Sequence, residues 1–265
     1  MNFNRLFQYF YCSVILSMVL WNHAAYAQKN TLSAGGEGTG AGGSVSFSLG
    51  QIDFVNTTGP GGSATQGLQQ VYKLTMNLKA YIQGYYQGSG QMRPVLNNQG
   101  LQNPINETDS IVVELHDTTI PYTLTHSYTG IIKTDGTLVC TFPNASEGQA
   151  FYIVLKHRNS IETWSASPVI LMQSTTYNFS SSATQAFGSN MIQVDNTPTV
   201  FAIYSGDIDQ SGGIDGDDFN LLDPDIQTGN GGYLSTDLDG SGGIDGDDFN
   251  IFDPNAQVGV GAFVP

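Results

Sequence analysis

The sequence predicts a mainly β protein, an antiparallel sandwich followed by a small C-terminal module that uses one structural unit twice. Two observations predict the sandwich. Apolar and polar residues alternate over short runs, and clusters of turn-forming residues separate these runs. A third observation predicts the module, because residues 207–220 and 237–250 are near-copies of one another. No long stretch has the 3.6-residue period of an amphipathic helix, so helix should be scarce.

The first 27 residues have the pattern of a secretory signal peptide. A single charge, Arg5, precedes an apolar run at 14–21, and Ala25-Tyr26-Ala27 forms a small-residue cleavage site. A membrane anchor would need about 20 apolar residues, and Asn22 interrupts this run too early. We therefore expect cleavage after Ala27 and a secreted protein, periplasmic, extracellular or on the cell surface. No membrane insertion is expected after cleavage.

The chain is strongly acidic and poor in cysteine. Its formal net charge is −15, and 13 of its 23 acidic residues lie between Asp207 and Asp253. This charge argues against nucleic acid and anionic membrane surfaces as partners. After removal of residues 1–27 only Cys140 remains, which excludes an intrachain disulfide. Bound metal is then the obvious substitute for a covalent cross-link.

Residues 28–74 form a Gly-rich region in which we expect β-hairpins. Short alternating runs such as SVSFSLGQIDFV surround the Gly/Pro turn TTGPGGS. The arrangement GSVSFSLGQ…TQGLQQVY resembles an N-terminal segment of secreted proteins from Bacteroidetes-type bacteria. That resemblance implies a location and a lineage, and no chemistry.

Residues 75–204 carry the predicted sandwich. Three runs alternate most clearly, and in each run the apolar residues share one face of a strand. These faces are Ile111/Val113/Leu115, Leu138/Cys140/Phe142 and Phe151/Ile153/Leu155. Further strands are expected near 76–83, 122–129, 163–171 and 199–204. About eight strands over a domain of this length fit an immunoglobulin-like or related sandwich.

The duplicated segment has the ligand spacing of an EF-hand calcium loop. The copies DIDQSGGIDGDDFN and DLDGSGGIDGDDFN differ only at Ile208/Leu238 and Gln210/Gly240. Oxygen-bearing residues occupy loop positions 1, 3, 5, 9 and 12, with glycine at position 6 and a carbonyl available at position 7. The predicted ligands are Asp207, Asp209, Ser211, Gly213, Asp215 and Asp218, then Asp237, Asp239, Ser241, Gly243, Asp245 and Asp248.

We therefore expect two Ca²⁺ ions, one in each loop. The alternative is a disordered acidic linker. It is disfavoured because both copies keep isoleucine at position 8 and phenylalanine just after position 12. Five carboxylates within twelve residues repel one another without a cation, so metal binding and local folding should be coupled.

Residues 205–258 resemble a type I dockerin module. Neither loop has an entering helix, and each loop ends in aspartate rather than glutamate at position 12. The resemblance implies calcium binding and a cohesin-like or other cell-surface protein partner. Two features of the sequence argue against a cohesin-like partner. Pro224 and Pro254 are expected to stop the helices within about two turns, and no Lys or Arg follows Arg158. Residues 259–265 are expected to be an uncharged tail.

No motif supports catalysis. HExxH, GxSxG and phosphate-binding glycine motifs are absent from the sequence. Cys140 alternates with Leu138 and Phe142, which is typical of an inert core thiol. Several acidic residues could form a glycosidase pair, but sequence does not set the distance between them. We expect a non-catalytic, secreted calcium-binding protein whose module stabilises the C-terminus and docks it to a partner.

A carbohydrate-binding component associated with polysaccharide degradation is the alternative. Sandwiches often bind sugars through exposed aromatic rings. Tyr81, Tyr85, Tyr86 and above all Trp164 are the candidate platform.

Overall fold

The computed structural model describes residues 73–265 in full and the backbone of four strands before them, 35–40, 43–48, 55–59 and 62–66. The chain divides into two compact units, Met1–Gln70 and Val71–Pro265. The predicted signal peptide, residues 1–27, lies outside the described residues. Among the residues that are described, no helix has the length and apolar character needed to span a membrane.

Short strands dominate the described part of the chain, and its two long helices lie near the C-terminus. In chain order, the strands are β1 Gly35–Gly40, β2 Gly43–Ser48, β3 Val55–Gly59, β4 Gly62–Gln66, β5 Lys73–Lys79, β6 Tyr86–Gly88, β7 Gln91–Met92, β8 Glu107–His116, β9 Leu124–Lys133, β10 Thr137–Pro143, β11 Ala150–His157, β12 Ser160–Trp164, β13 Val169–Ile170, β14 Ser174–Asn178, β15 Ile192–Asn196 and β16 Thr199–Ala202. The α-helices are α1 Val95–Asn98, α2 Gly216–Thr228 and α3 Gly246–Val258. Short 3₁₀ turns lie at Asn144–Ser146, Phe179–Ser181, Ala183–Gln185 and Phe187–Ser189.

In the first unit, β1 pairs with β2 and β3 with β4, both antiparallel. These two pairs lie in the Gly-rich region for which hairpins are predicted. The register pairs Gly40 with Gly43 in the first pair of strands and Gly59 with Gly62 in the second.

In the second unit, two sheets form the sandwich. One sheet has the order β10-β5-β14, and the other has the order β12-β11-β8-β9 with β13 against β11. Neighbouring strands are antiparallel with one exception, because β14 runs parallel to β5 and pairs Ser174 with Thr75. The predicted mainly β, antiparallel architecture is confirmed, with this one parallel pair added.

The core between the sheets contains all three predicted apolar faces. Their nine residues are buried in a single cluster that also contains Leu74, Met76 and Leu78 of β5. Cys140 belongs to this cluster, and burial raises the pKa of its thiol to about 12. A thiol with so high a pKa is protonated at neutral pH and is a poor nucleophile.

The C-terminal module has its own smaller core, to which the sandwich contributes. Ile161 of β12 is buried there together with residues of both repeats, namely Ile208, Ile214, Leu222, Leu238, Ile244 and Phe252. Ile161 N also donates to Tyr204 O at 3.0 Å, and Ser160 bridges to Ser205. The predicted boundary after residue 204 therefore lies within one compact unit.

Both helices of the module are longer than the sequence predicts. Helices α2 and α3 have 13 residues each and continue through Pro224 and Pro254. The prediction that these prolines stop the helices within about two turns is wrong. A proline inside a helix removes one amide donor and crowds the carbonyl four residues earlier, whereas capping signals at both helix ends favour the continuous helix.

These end signals are the same in the two helices. Asp215 and Asp245 are the N-caps, and each forms a reciprocal capping box with the aspartate three residues later. Gly229 and Gly259 are the C-caps, with φ of 61° and 67°. Glycine adopts this left-handed conformation without the penalty that a Cβ imposes.

Candidate metal centre

Three carboxylates converge in the first loop. Asp207, Asp209 and Asp218 each offer one oxygen, and these oxygens lie within 4.8 Å of one another. They are the predicted ligands at positions 1, 3 and 12. Hard oxygen donors gathered in this way are the ligand set that Ca²⁺ prefers.

Asp218 joins the loop to the first turn of α2. Its Oδ1 accepts from the backbone N–H groups of Ile208 and Asp209, at 2.6 and 3.0 Å. Its Oδ2 accepts from Asp215 N at 2.9 Å. These three bonds orient the carboxylate of Asp218, which is fully buried.

The two oxygens of Asp207 bear on whether the loop could hold a cation. Its Oδ2 accepts from Gly212 N at 3.2 Å, whereas its Oδ1 is buried and has no hydrogen-bond partner. Burial, followed by the negative charge of Asp218, raises the pKa of Asp207 to about 6. A buried carboxylate oxygen without a partner is destabilising. A Ca²⁺ ion held by Asp207, Asp209 and Asp218 would remove that penalty.

The remaining predicted positions of this loop lie outside the carboxylate cluster. Asp215 Oδ1 accepts from Asp217 N at 2.8 Å as the N-cap of α2. Ser211 N donates to Asp209 Oδ1 at 2.9 Å, and Gly213 forms a backbone bridge with Gly261. Position 9 of an EF-hand loop often reaches the ion through water, so capping by Asp215 is compatible with its predicted role.

The second loop repeats the arrangement and is more deeply buried. Asp237, Asp239 and Asp248 bring their carboxylate oxygens within 4.8 Å of one another, and all three residues are buried. Asp248 accepts from Leu238 N, Asp239 N and Asp245 N at 2.7, 3.1 and 2.8 Å. Burial and the charge of Asp248 raise the pKa of Asp237. The predicted ligands Ser241 and Gly243 contact each other, since Ser241 Oγ donates to Gly243 O at 3.1 Å.

Each loop pairs with the segment that follows the helix of the other repeat. Ile214 N donates to Val260 O at 2.8 Å, and Ile244 N donates to Asn230 O at 2.9 Å. Ala262 N also donates to Gly212 O at 2.8 Å. The predicted C-terminal tail, residues 259–265, thus packs along the first loop, and the two repeats form one interlocked module.

Sequence reasoning missed the contacts that the segment around α1 makes with the second loop. Arg93 Nη2 lies 3.2 Å from Asp239 Oδ2, and Gln99 Nε2 donates to Asp237 Oδ2. Asn98 Nδ2 donates to Gly240 O at 3.1 Å. Roughly 140 residues separate these partners in sequence, so no local pattern signals the contact.

A second missed feature is a buried network around Asp109. This fully buried carboxylate accepts from Tyr85 Oη at 3.0 Å and from His157 Nε2 and Arg158 Nε at 3.1 Å. Tyr233, between the two loops, donates to its other oxygen, and the Arg158 guanidinium lies 4.3 Å from the Tyr233 ring centre. Burial raises the pKa of Asp109, but hydrogen bonding and charge from His157, with Arg158 and Tyr233, outweigh burial and hold that pKa well below its ordinary value. Through this network Tyr233, in the segment that connects the two loops, contacts Asp109 of the sandwich.

In the same network a hydroxyl, an imidazole and a carboxylate contact one another in a row. His157 Nδ1 lies 3.1 Å from Ser160 Oγ, and its Nε2 contacts Asp109. In the catalytic triad of serine hydrolases Nε2 faces the hydroxyl and Nδ1 faces the carboxylate, which is the reverse of this arrangement. Here all three residues are buried, so a substrate has no access to the hydroxyl in this conformation.

Trp164 is not the exposed platform that the sequence suggests. Only 4% of it is exposed. Its ring packs against His116, Tyr122 and Tyr152, with centroid distances of 4.7, 6.1 and 5.9 Å. Its Nε1 donates to Glu162. Tyr81 and Tyr85 are also buried. The prediction of an exposed platform is wrong for Trp164, Tyr81 and Tyr85, whose rings pack inside the unit, while Tyr86 is half-buried.

Comparison with known proteins yields no family. No protein-family model matches the chain, and no curated protein matches it. Two crystal structures of type II cohesin–X–dockerin complexes from Acetivibrio cellulolyticus contain a similar chain. A C-terminal interface mutant has 11% identity and a TM-score of 0.43, and an N-terminal interface mutant has 12% identity and a TM-score of 0.41. In both, the match covers 69% of this chain and 95% of the other.

Proposed function

We propose that this protein is a non-catalytic calcium-binding protein whose C-terminal module binds two Ca²⁺ ions. The observation that carries the proposal is Asp207 Oδ1, a buried carboxylate oxygen without a partner in a cluster of three aspartates. The second loop has the same cluster, Asp237, Asp239 and Asp248. In the first loop Asp207, Asp209 and Asp218 would hold the ion.

The ions act as structural cross-links. At a calcium concentration about 1,000 times Kd, one site adds roughly 4 kcal/mol to the folded state by mass action. A typical domain has a total stability of about 5–15 kcal/mol. Secretion, which the signal-peptide pattern predicts, would expose the protein to extracellular calcium. Because the module interlocks with the sandwich through Ile161 and Asp109, calcium would stabilise the whole second unit.

Calorimetric titration of the calcium-stripped mature chain tests the proposal. We expect two ions per chain. A stoichiometry of zero would refute the proposal. Limited proteolysis gives a second readout, since the region after Tyr204 should resist digestion in calcium and be cleaved in chelator. Equal digestion in the two conditions would also count against it.

The surface between the two helices favours a second role, docking to a protein partner. Phe219 and Phe249 have ring centroids 5.9 Å apart, and Phe252 stacks 6.0 Å from Phe219. Phe219 is 36% exposed. Acidic side chains, Asp215 and Asp253, flank this groove. Helices α2 and α3 are also long enough to offer a docking face, and this length was not predicted from the sequence.

The chemistry of this groove selects the partner. An apolar floor with acidic edges fits a protein that presents an apolar side chain beside Lys or Arg. The dockerin resemblance suggests a cohesin-like or other cell-surface protein. A photo-crosslinker at Gly216, an exposed residue of the groove lining where an added side chain meets no atom within 4 Å, would identify a partner from cell-surface extract. The purified partner should bind this protein in the presence of calcium. Phe219→Ala should weaken that binding about tenfold or more.

A matched control uses Val258→Ala, an exposed apolar residue at the far end of α3. Binding unaffected by Phe219→Ala, or equally weakened by Val258→Ala, would refute docking at this groove.

A further inference from the structure

The two loops share twelve of fourteen residues but have different surroundings. Asp209 of the first loop is exposed, whereas its counterpart Asp239 in the second loop is buried. Within residues 73–265, Arg93 forms an ion pair with the second loop, and no basic side chain forms one with the first. The loop sequences are nearly identical, so this asymmetry comes from the rest of the chain.

Gln99 and Arg93 contact the oxygens of two ligand carboxylates in the second loop. Gln99 Nε2 donates to Asp237 Oδ2, the same oxygen that accepts from Gly242 N at 3.2 Å. Arg93 Nη2 lies 3.2 Å from Asp239 Oδ2, while Asp239 Oδ1 accepts from Ser241 N at 2.8 Å. In the first loop, the corresponding Asp207 Oδ2 accepts from Gly212 N. No Gln99 equivalent reaches that oxygen among the described residues.

We propose that Gln99, supported by Arg93, is a positioning residue for calcium in the second loop. The sandwich thereby completes the outer shell of the second site and leaves the first site to its own loop. This inference rests on the proposed function, that both loops bind Ca²⁺. Partners that orient metal-ligating side chains commonly contribute about 10–100-fold to metal affinity.

The roles of the two residues follow from their charge. Gln99 is neutral, so it orients the Asp237 carboxylate without opposing the charge of the ion. Arg93 orients Asp239 but also repels a divalent cation, so its two effects oppose each other. Gln99 is therefore the residue whose substitution changes the calcium affinity in a predictable direction. Its substitution should weaken the second site alone.

A calcium-buffered NMR titration of the intact chain tests this proposal. The amide signals of Gly212 and Gly242 report on the two loops separately, because each donates to the position-1 aspartate of its own loop. Gln99→Met keeps the length of the side chain and removes the donor. We expect the calcium midpoint at Gly242 to rise about tenfold and the midpoint at Gly212 to stay unchanged.

Gln227→Met is the matched control, because Gln227 Nε2 also donates to a carboxylate, that of Asp223, outside both loops. It should move neither midpoint. Equal shifts at both glycines in Gln99→Met, or no shift at either, would overturn the proposal. So would loss of the folded spectrum, since it would indicate a packing role instead. Failure of the parent protein to respond to calcium would instead refute the proposed function itself.

Discussion

Gly240 lies directly against Val95, so closely that a Cβ atom on Gly240 would be 2.4 Å from Val95 Cγ2. The Tyr85 ring would lie 3.0 Å from the same atom. In the first loop the equivalent residue is Gln210, whose side chain donates to Asp207 O within its own loop. One of the two sequence differences between the repeats is therefore explained by which loop packs on the sandwich.

Exchanging these two residues should affect only the second loop. Gly240→Gln is expected to lower the free energy of unfolding by about 3 kcal/mol, because it overpacks the contact with Val95 and places a side chain on a residue with φ of 71°. Gln210→Gly is the control, and it should change stability by less than about 1 kcal/mol. Urea unfolding of both variants in saturating calcium measures the difference. Equal destabilisation would contradict the packing argument.

Removing the charge of Asp109 should strongly destabilise the second unit. Asp109→Asn leaves Arg158 and His157 without their buried anion, and breaking such a buried pair costs about 3–5 kcal/mol. Asp117→Asn is the matched control, since Asp117 is exposed and its carboxylate accepts from the Thr125 hydroxyl. That variant should stay within about 0.5 kcal/mol of the parent. Chemical unfolding measures both, and a neutral Asp109→Asn would show that the network is not stabilising.

Calcium-dependent stabilisation should require Asp218 and tolerate loss of Asp217. Both are acidic residues in the first turn of α2, but only Asp218 belongs to the carboxylate cluster. Asp218→Ala should reduce the bound calcium from two ions to one and remove roughly 4 kcal/mol of calcium-dependent stability. Asp217→Ala should retain both. Thermal unfolding with calcium and with chelator compares them, and identical behaviour would argue against the assigned ligand.

Without calcium, the protein should become more stable as the pH falls from about 6 towards 4. The pKa of Asp207 is raised from 3.8 to about 6, so the folded state binds a proton before the unfolded state does. The free energy of unfolding therefore increases as pH decreases between these values. Saturating calcium should abolish or reverse this trend, because the ion holds the carboxylate ionised.

Urea midpoints at pH 6.5 and 5 in chelator and in calcium would test this dependence. Asp207→Asn should reduce the slope of the chelator curve, and the slope that remains would come from Asp237, whose pKa is raised to about 7. A parent protein with the same slope in both conditions would exclude Asp207 as the group responsible.

The sequence predicted the features that depend on local patterns. Alternation placed the Ile111, Leu138 and Phe151 faces in the core, because a strand exposes every second residue to the same side. The spacing of aspartates in the repeat brought Asp207, Asp209 and Asp218 together. Prediction from the sequence failed where local signals compete. Pro224 suggested a helix end, but the helix continues past this proline from its N-cap, Asp215, to its C-cap, Gly229.

The spacing of the aspartates, the strand alternation and the repeat were thus determined by residues close together in the chain. The contacts of Arg93 and Gln99 with the second loop, the Asp109 network and the burial of Trp164 were decided only by the tertiary structure. These features join segments that are distant in sequence, and packing selects their partners after the local elements have formed. The repeat supplies two nearly identical loops, and the sandwich makes them different.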